Sequence, residues 1–205
     1  MSKVKAVFFD WDGTLANTLE LWFTFLKIYL PKFSEFEVKH KLIGCFDPIN
    51  LDQEKDIDFG AKTSAFFQDN QALIKLNDGV FDLLNNLNLK GFKLAVLSST
   101  SKKIVSNLLQ KAKIFPMIDL FLGFEDVKSA KPDPEILFKA LQDLNLTKEE
   151  VVFVGDSNAD LLAGQKAQLK TYFYCPQFNR DFYQINPLDY CSQDLIFDDF
   201  KRFSI

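Results

Sequence analysis

Short apolar runs alternate with helical patterns along this chain, and that alternation restricts the fold more than any other feature. Residues 4–9 form a largely apolar run ending in Asp10, residues 94–97 one ending in Ser98, and residues 151–154 one ending in Gly155-Asp156. Weaker runs stand at 172–174 and 195–197, and 120–122 fits an edge strand. Runs without polar alternation belong to strands buried on both faces, the condition of a parallel sheet. Between them, Val80, Leu83, Leu84 and Leu87 keep helical spacing, with Gly91 just past the end. Ile104, Val105, Leu108 and Leu109 repeat the pattern after Ser101. Asp133-Pro134 reads as an N-cap and first helical position before Ile136, Leu137, Ala140, Leu141 and Leu144. Leu161, Leu162 and Gln165 follow Asp156 in the same way. The expectation is an α/β fold: a doubly wound, Rossmann-like parallel sheet with right-handed crossovers.

Residues 16–77 break the alternation. Leu19, Trp22, Phe23, Leu26 and Leu30 form a helical stripe thickened by Phe25 and Ile28, and a second helical stretch spans 61–76. With no strand between them, they predict a small all-helical insertion, placing the core at 1–15 and 78–205. The aromatic stripe is read as helix-packing core rather than as the lining of a substrate pocket.

Length and composition exclude several classes. A chain of 205 residues with 47% hydrophobic and 25% charged residues has the balance of a globular protein, one large domain or a domain with an insertion. The net charge of −4 argues against general nucleic-acid binding. No window approaches 18 consecutive apolar residues, so no membrane span is expected. Asp10 and Asp12 interrupt the first apolar run too early for a signal peptide. Cys45, Cys175 and Cys191 are odd in number and lack metal-type spacing, which suits reduced thiols in the cytoplasm. A single histidine, His40, excludes chemistry built on several.

In open parallel sheets, ligands bind beyond the carboxyl ends of the strands. Asp10 and Asp12 follow the first strand, Ser98 and Ser99 the second, and Asp156 and Asp160 the third, while Lys131 lies in the loop after the edge strand. One fold rule thus gathers four carboxylates, two hydroxyls and an ammonium. Crowded carboxylates raise one another's pKa, and a hard divalent cation such as Mg²⁺ relieves that cost. A carboxylate aimed at a bound anion serves as a nucleophile, and a second one two residues on serves as general acid and base. Phosphoryl transfer is the reaction that uses every part.

These residues resemble the motifs of the haloacid dehalogenase superfamily. Asp10-Trp11-Asp12-Gly13-Thr14-Leu15 resembles its nucleophile motif. Ser98, Lys131 and Gly155-Asp156-Ser157-Asn158-Ala159-Asp160 fall where its other three motifs belong. The likeness is good over 4–15 and 78–174, and weak in the insertion and after Pro176. It implies that Asp10 is nucleophile and metal ligand. Asp12 would protonate the leaving alcohol, activate water and present its main-chain carbonyl to Mg²⁺. Asp156 would be the second carboxylate on the metal. Ser98 would hold a phosphoryl oxygen with main-chain donors near Trp11 and Ser99, and Lys131 would neutralise charge. Asp160 would orient Lys131 or metal-bound water, and Thr14 would support the site from behind.

The resemblance also sorts reaction types. Dehalogenases of the superfamily need neither the residue at Asp12 nor a metal, and phosphonate-cleaving members have a small residue there. Asp12 therefore implies a phosphatase acting on a small phosphorylated metabolite, or a phosphomutase. The insertion is similar to the cap of the phosphoglycolate-phosphatase-like branch, which closes over small substrates. It carries seven lysines and no arginine. A mutase of the β-phosphoglucomutase type grips its second phosphate with a cap arginine, so phosphatase ranks first. The alternatives are that mutase and a non-catalytic phosphate- or partner-binding protein on the same scaffold. A monomer or homodimer is expected.

Smaller features complete the reading. The acidic stretch Asp47, Asp52, Glu54, Asp56 and Asp58 lacks the glycine and terminal glutamate of a calcium loop and is read as solvated. Thr147-Lys148-Glu149-Glu150 reads as a capping box rather than part of a glycosylation acceptor. Gln168 stands where the family often has glycine, which predicts a left-handed backbone there. Residues 175–192, rich in aromatics, leave the carboxyl end of a strand taken as an edge; they are read as a packed surface loop, with contact to substrate or a partner as the alternative.

Overall fold

The computed structural model describes residues 4–46 and 59–205; the acidic stretch at 47–58 lies outside them. The apolar runs become β1 (Ala6–Phe9), β2 (Lys93–Leu97), β3 (Leu120–Leu122), β4 (Val151–Gly155), β5 (Lys170–Tyr174) and β6 (Ile196–Phe197). They form one six-stranded parallel sheet in the order β3-β2-β1-β4-β5-β6. In β1, Val7 and Phe9 pack with one apolar cluster, and Ala6 and Phe8 with another. The first cluster takes the buried faces of α3 (Val80–Leu89) and α4 (Lys102–Lys111). The second takes those of α5 (Glu135–Asp143) and α6 (Asn158–Ala167). A strand covered on both sides gains nothing from polar alternation, which is why its sequence shows none.

Local signals fix the helix ends. Gly91 (φ 80°) takes the left-handed turn that closes α3, as its place in the sequence predicts. Gln168 adopts the same conformation (φ 57°, ψ 34°) after α6 without being glycine. Thr147 and Glu150 form the expected capping box. Asp133 Oδ1 accepts from the Glu135 amide, so α5 starts one residue later than its proline suggests.

Among the described residues, the insertion after β1 contains α1 (Leu19–Tyr29), a π-helix over Glu37–Ile43 and α2 (Phe59–Asn70). The second helix stops short of the predicted 76: a 3₁₀ turn (Gln71–Leu73) follows, and Leu76 bridges back to Ala16. Its two connections to the sheet are tied side by side, with Asn17 N donating to Lys75 O at 3.0 Å and Asn77 N to Leu15 O at 2.9 Å.

Two readings of the chain's end need correction. Strand β5 is not an edge, because β6 pairs outside it. Residues 175–192 are not merely a packed loop. They contain α7 (Gln177–Tyr183), and Asn179 and Tyr183 are buried against β4's carboxyl end because both bond the carboxylate there. Among the described residues, no helix is long and apolar enough to cross a membrane, and all three cysteines are unpaired.

Candidate active site

The strand order decides where the site forms. From β1 the chain winds outward through β2 to β3, then returns to β4 on β1's other side and continues to β6. The reversal lies between β1 and β4, and ligand crevices form there. Phe9 is in register with Val154, and the Asp10 amide donates to Val154 O at 2.9 Å. Asp10 and Asp156 therefore leave adjacent strands at the same level. Gly13 lets the loop fold in: its φ is +77°, and a Cβ there would lie 2.2 Å from Asp156 Oδ2. Gly155 allows the same closeness on the other side, where a Cβ would meet that of Asp160 at 2.3 Å.

Lys131 sits at the centre, with its side chain only 4% exposed. Its Nζ donates to Asp10 Oδ1, to Asp160 Oδ1 at 2.7 Å and to Leu97 O at 3.2 Å. Burial favours a neutral amine, but the Asp10 and Asp160 carboxylates outweigh it and raise the lysine's pKa. Burial pushes the Asp10 carboxyl up to about 8; Lys131 opposes the shift, while Asp160 and Asp12 add to it. Asp160 Oδ2 accepts from the amide and hydroxyl of Ser157, so the capping box of α6 aims Oδ1 at the lysine.

Asp156 is held from three directions. Thr14 Oγ1 donates to Oδ1 at 2.9 Å, and Tyr183 OH and Asn179 Nδ2 donate to Oδ2 at 2.8 and 3.0 Å. Burial, with the charges of Asp10 and Asp160, raises this carboxyl well above its ordinary pKa despite those bonds. Burial and the Asp156 charge likewise keep the Tyr183 phenol protonated, as its donation requires.

Asp12 is half-buried and also held by donors. Thr18 Oγ1 and Trp22 Nε1 donate to Oδ1, each at 2.8 Å. Thr100 Oγ1 and Ser98 Oγ donate to Oδ2 at 2.6 and 3.2 Å. The Ser98 hydroxyl also accepts from the Thr100 amide, and Ser98 is fully buried. Asp10, Asp12, Ser99, Thr100 and Lys131 face a cavity of about 290 Å³, the size of a small-molecule site. The Trp11 side chain belongs to the apolar core. Among the described residues, a larger depression of about 730 Å³ beside α7 brings together only Arg180 and Asp181 as charged groups.

Asp10, Asp12, Thr14, Ser98, Ser99, Lys131, Asp156 and Asp160 thus meet at one end of the sheet, but Ser98, expected from sequence to hold a phosphoryl oxygen, is fully buried with its hydroxyl on Asp12 and does not line the cavity. Five partners were missed: Thr18, Trp22 and Thr100 on Asp12, and Asn179 and Tyr183 on Asp156. Thr100 continues a visible run of hydroxyls after β2. Asn179 and Tyr183 stand four residues apart, the spacing of one helix face. The helical stripe places Trp22 in the core. The stripe in fact divides, since Phe25 is fully buried while Trp22 and Leu26 line the cavity.

The donor set suits a hard cation. Asp10, Asp156 and Asp160 are buried, and each offers a carboxylate oxygen within 4.8 Å of the others. Lys131 pairs with Asp10 and Asp160 but not with Asp156, and the all-oxygen character of the three carboxylates favours Mg²⁺-like ions over softer metals.

Residues 7–174 match the haloacid dehalogenase-like hydrolase family. The chain belongs to that family. It is a hydrolase of the family's phosphatase type. It is 30% identical over 177 residues to the pyrophosphatase PpaX of Halalkalibacterium halodurans, covering 82% of each chain. Among solved structures, it is similar to a predicted phosphoglycolate phosphatase from Haemophilus somnus (TM-score 0.75, 22% identity, 98% and 96% of the two chains). It is also similar to CbbY from Rhodobacter sphaeroides in complex with phosphate (TM-score 0.71, 26% identity, 97% and 96%).

Proposed function

We propose that the chain is a Mg²⁺-dependent phosphatase that hydrolyses the phosphomonoester of a small metabolite through an aspartyl-phosphate on Asp10. The observation that carries this reading is the bridging of Asp10 and Asp160 by buried Lys131, with Asp156 alongside and the cavity opening onto Asp10. Residues 16–77 act as the cap over that cavity.

Lys131 holds Asp10 Oδ1, and the other carboxylate oxygen attacks phosphorus. The P–O bond to the alcohol breaks, and Asp12 gives the departing oxygen a proton. Asp12 then takes a proton from water, which attacks the phosphorus, breaks the acyl-phosphate bond and restores Asp10. Ser99 and Thr100, with main-chain donors near Trp11, hold phosphoryl oxygens; Ser98 orients Asp12. Mg²⁺, held by Asp10, Asp156 and the main-chain carbonyl of Asp12, would supply charge that keeps Asp10 ionised and offsets the phosphoryl oxygens. Asp160 orients Lys131.

The test is phosphate release from a panel of phosphomonoesters, with Mg²⁺ and with chelator, for the wild type and Asp10→Asn. Metal-dependent release that falls to background in Asp10→Asn is expected. Full activity in that variant overturns the mechanism.

A further inference from the structure

The cavity has two chemically distinct sides. The sheet side is polar, with Asp10, Asp12, Ser99, Thr100 and Lys131. The insertion contributes Leu19, Trp22, Leu26, Leu42, Ile43 and Cys45. No carboxylate, ammonium or guanidinium of the insertion lines it among the described residues. Trp22 Nε1 is a polar group on that side, and it donates to Asp12. The Cys45 thiol stays neutral, pushed up by burial to about 11.

Lysines of the insertion lie elsewhere. Lys27 Nζ donates to Phe33 O at 2.5 Å. Lys39 lies over the Phe23 ring at 4.5 Å and Lys62 over Tyr29 at 4.7 Å. Lys131 is the one cation among the described lining residues, and Asp10 and Asp160 already hold it. Among the described residues, a second anionic group on the substrate would thus face an apolar wall with no counter-charge, a costly placement for an ion. An apolar group there is favoured instead.

We infer that the substrate's leaving group is a small uncharged alcohol with an apolar body, and that the substrate has no anion besides the phosphoryl group it loses. This rests on the phosphatase reading above and narrows it. It also sets the chain apart from what its relatives' names say of them, pyrophosphate and phosphoglycolate, and from the xylulose-(1,5)bisphosphate held by CbbY.

The experiment compares isobutyl phosphate and 2-phenylethyl phosphate with phosphoglycolate and pyrophosphate. Binding of each to the full-length Asp10→Asn chain with Mg²⁺ is measured by calorimetry, because leaving-group reactivity does not enter binding. Phosphate release by the wild type is measured in parallel. The apolar esters should bind at least about 10-fold tighter, the scale of one well-filled apolar contact, and be turned over with higher kcat/KM. Leu42→Lys, at a half-exposed position, should reverse the order towards phosphoglycolate. Release of phosphate with phosphoglycolate or pyrophosphate preferred leaves the phosphatase standing and overturns the substrate class. An unchanged order in a folded Leu42→Lys protein also overturns it. No release from any compound by folded, metal-loaded protein overturns both readings.

Discussion

Asp12 and Asp156 are carboxylates held by different sets of donors. Asp12 accepts four side-chain bonds, three of them from hydroxyls. A hydroxyl can accept as well as donate, so an amide fits the same place with its oxygen towards Thr18 and Trp22 and its NH₂ towards Ser98 and Thr100. Asp12→Asn should therefore fold normally yet lose proton transfer, lowering kcat by roughly 10²–10⁴-fold. Steady-state rates alongside a thermal melt check this. At Asp156, the Tyr183 hydroxyl fixes one carboxylate oxygen. With Asp156 as the proposed Mg²⁺ ligand, such supporting bonds are typically worth about 10–100-fold in affinity, so Tyr183→Phe should weaken Mg²⁺ binding by that factor in calorimetry.

At the scale of elements, α7 and the insertion act together. His40 Nδ1 is bonded to the Tyr183 carbonyl at 2.9 Å, and Asn158 Nδ2 donates to Cys45 O at 3.0 Å. The insertion thus rests on α6 through Asn158 and on α7, the helix whose Asn179 and Tyr183 hold Asp156. Its two connections are fastened by Asn77, whose Nδ2 donates to Thr14 O at 2.7 Å and Gly13 O at 3.2 Å. Asn77→Ala strands the partly buried Thr14 carbonyl in the loop after β1 and leaves that of Gly13 with the longer Asn179 Nδ2 bond at 3.4 Å. It should cost about 1–3 kcal/mol in urea unfolding.

For the whole molecule, the buried carboxylates link stability to pH. Asp10 is raised from 3.8 to about 8, and Asp156 also lies well above its ordinary value. Both bind more protons folded than unfolded between those limits, so the metal-free protein should lose stability as pH rises through that window. The upward shift of Lys131 contributes stability that is lost only above its unfolded pKa of 10.5, outside the window. The downward-shifted Glu37, Asp78, Glu125, Asp126 and Glu150 lose theirs only in acid. Mg²⁺ competes with the protons, so it should raise the melting temperature more at about pH 8 than at about pH 5. Calorimetric scans of the metal-free and Mg²⁺-loaded protein measure the difference.

The sequence by itself determined the sheet and the ends of its strands. Burial on both faces writes each strand as a continuous apolar run, and the fold rule then places Asp10, Ser98, Lys131, Asp156 and Asp160 together. Those are local patterns, legible because each depends on neighbours in the chain. Only the tertiary structure decided who holds Asp156 and what lines the cavity. Asn179 and Tyr183 reach that carboxylate across 23 and 27 residues of chain, and nothing in their local pattern distinguishes a buried donor from a surface residue. Trp22 and Phe25 share one helix and similar chemistry, yet one faces the cavity and the other the core. That choice is set by the rotation at which α1 docks, which packing fixes and periodicity leaves open.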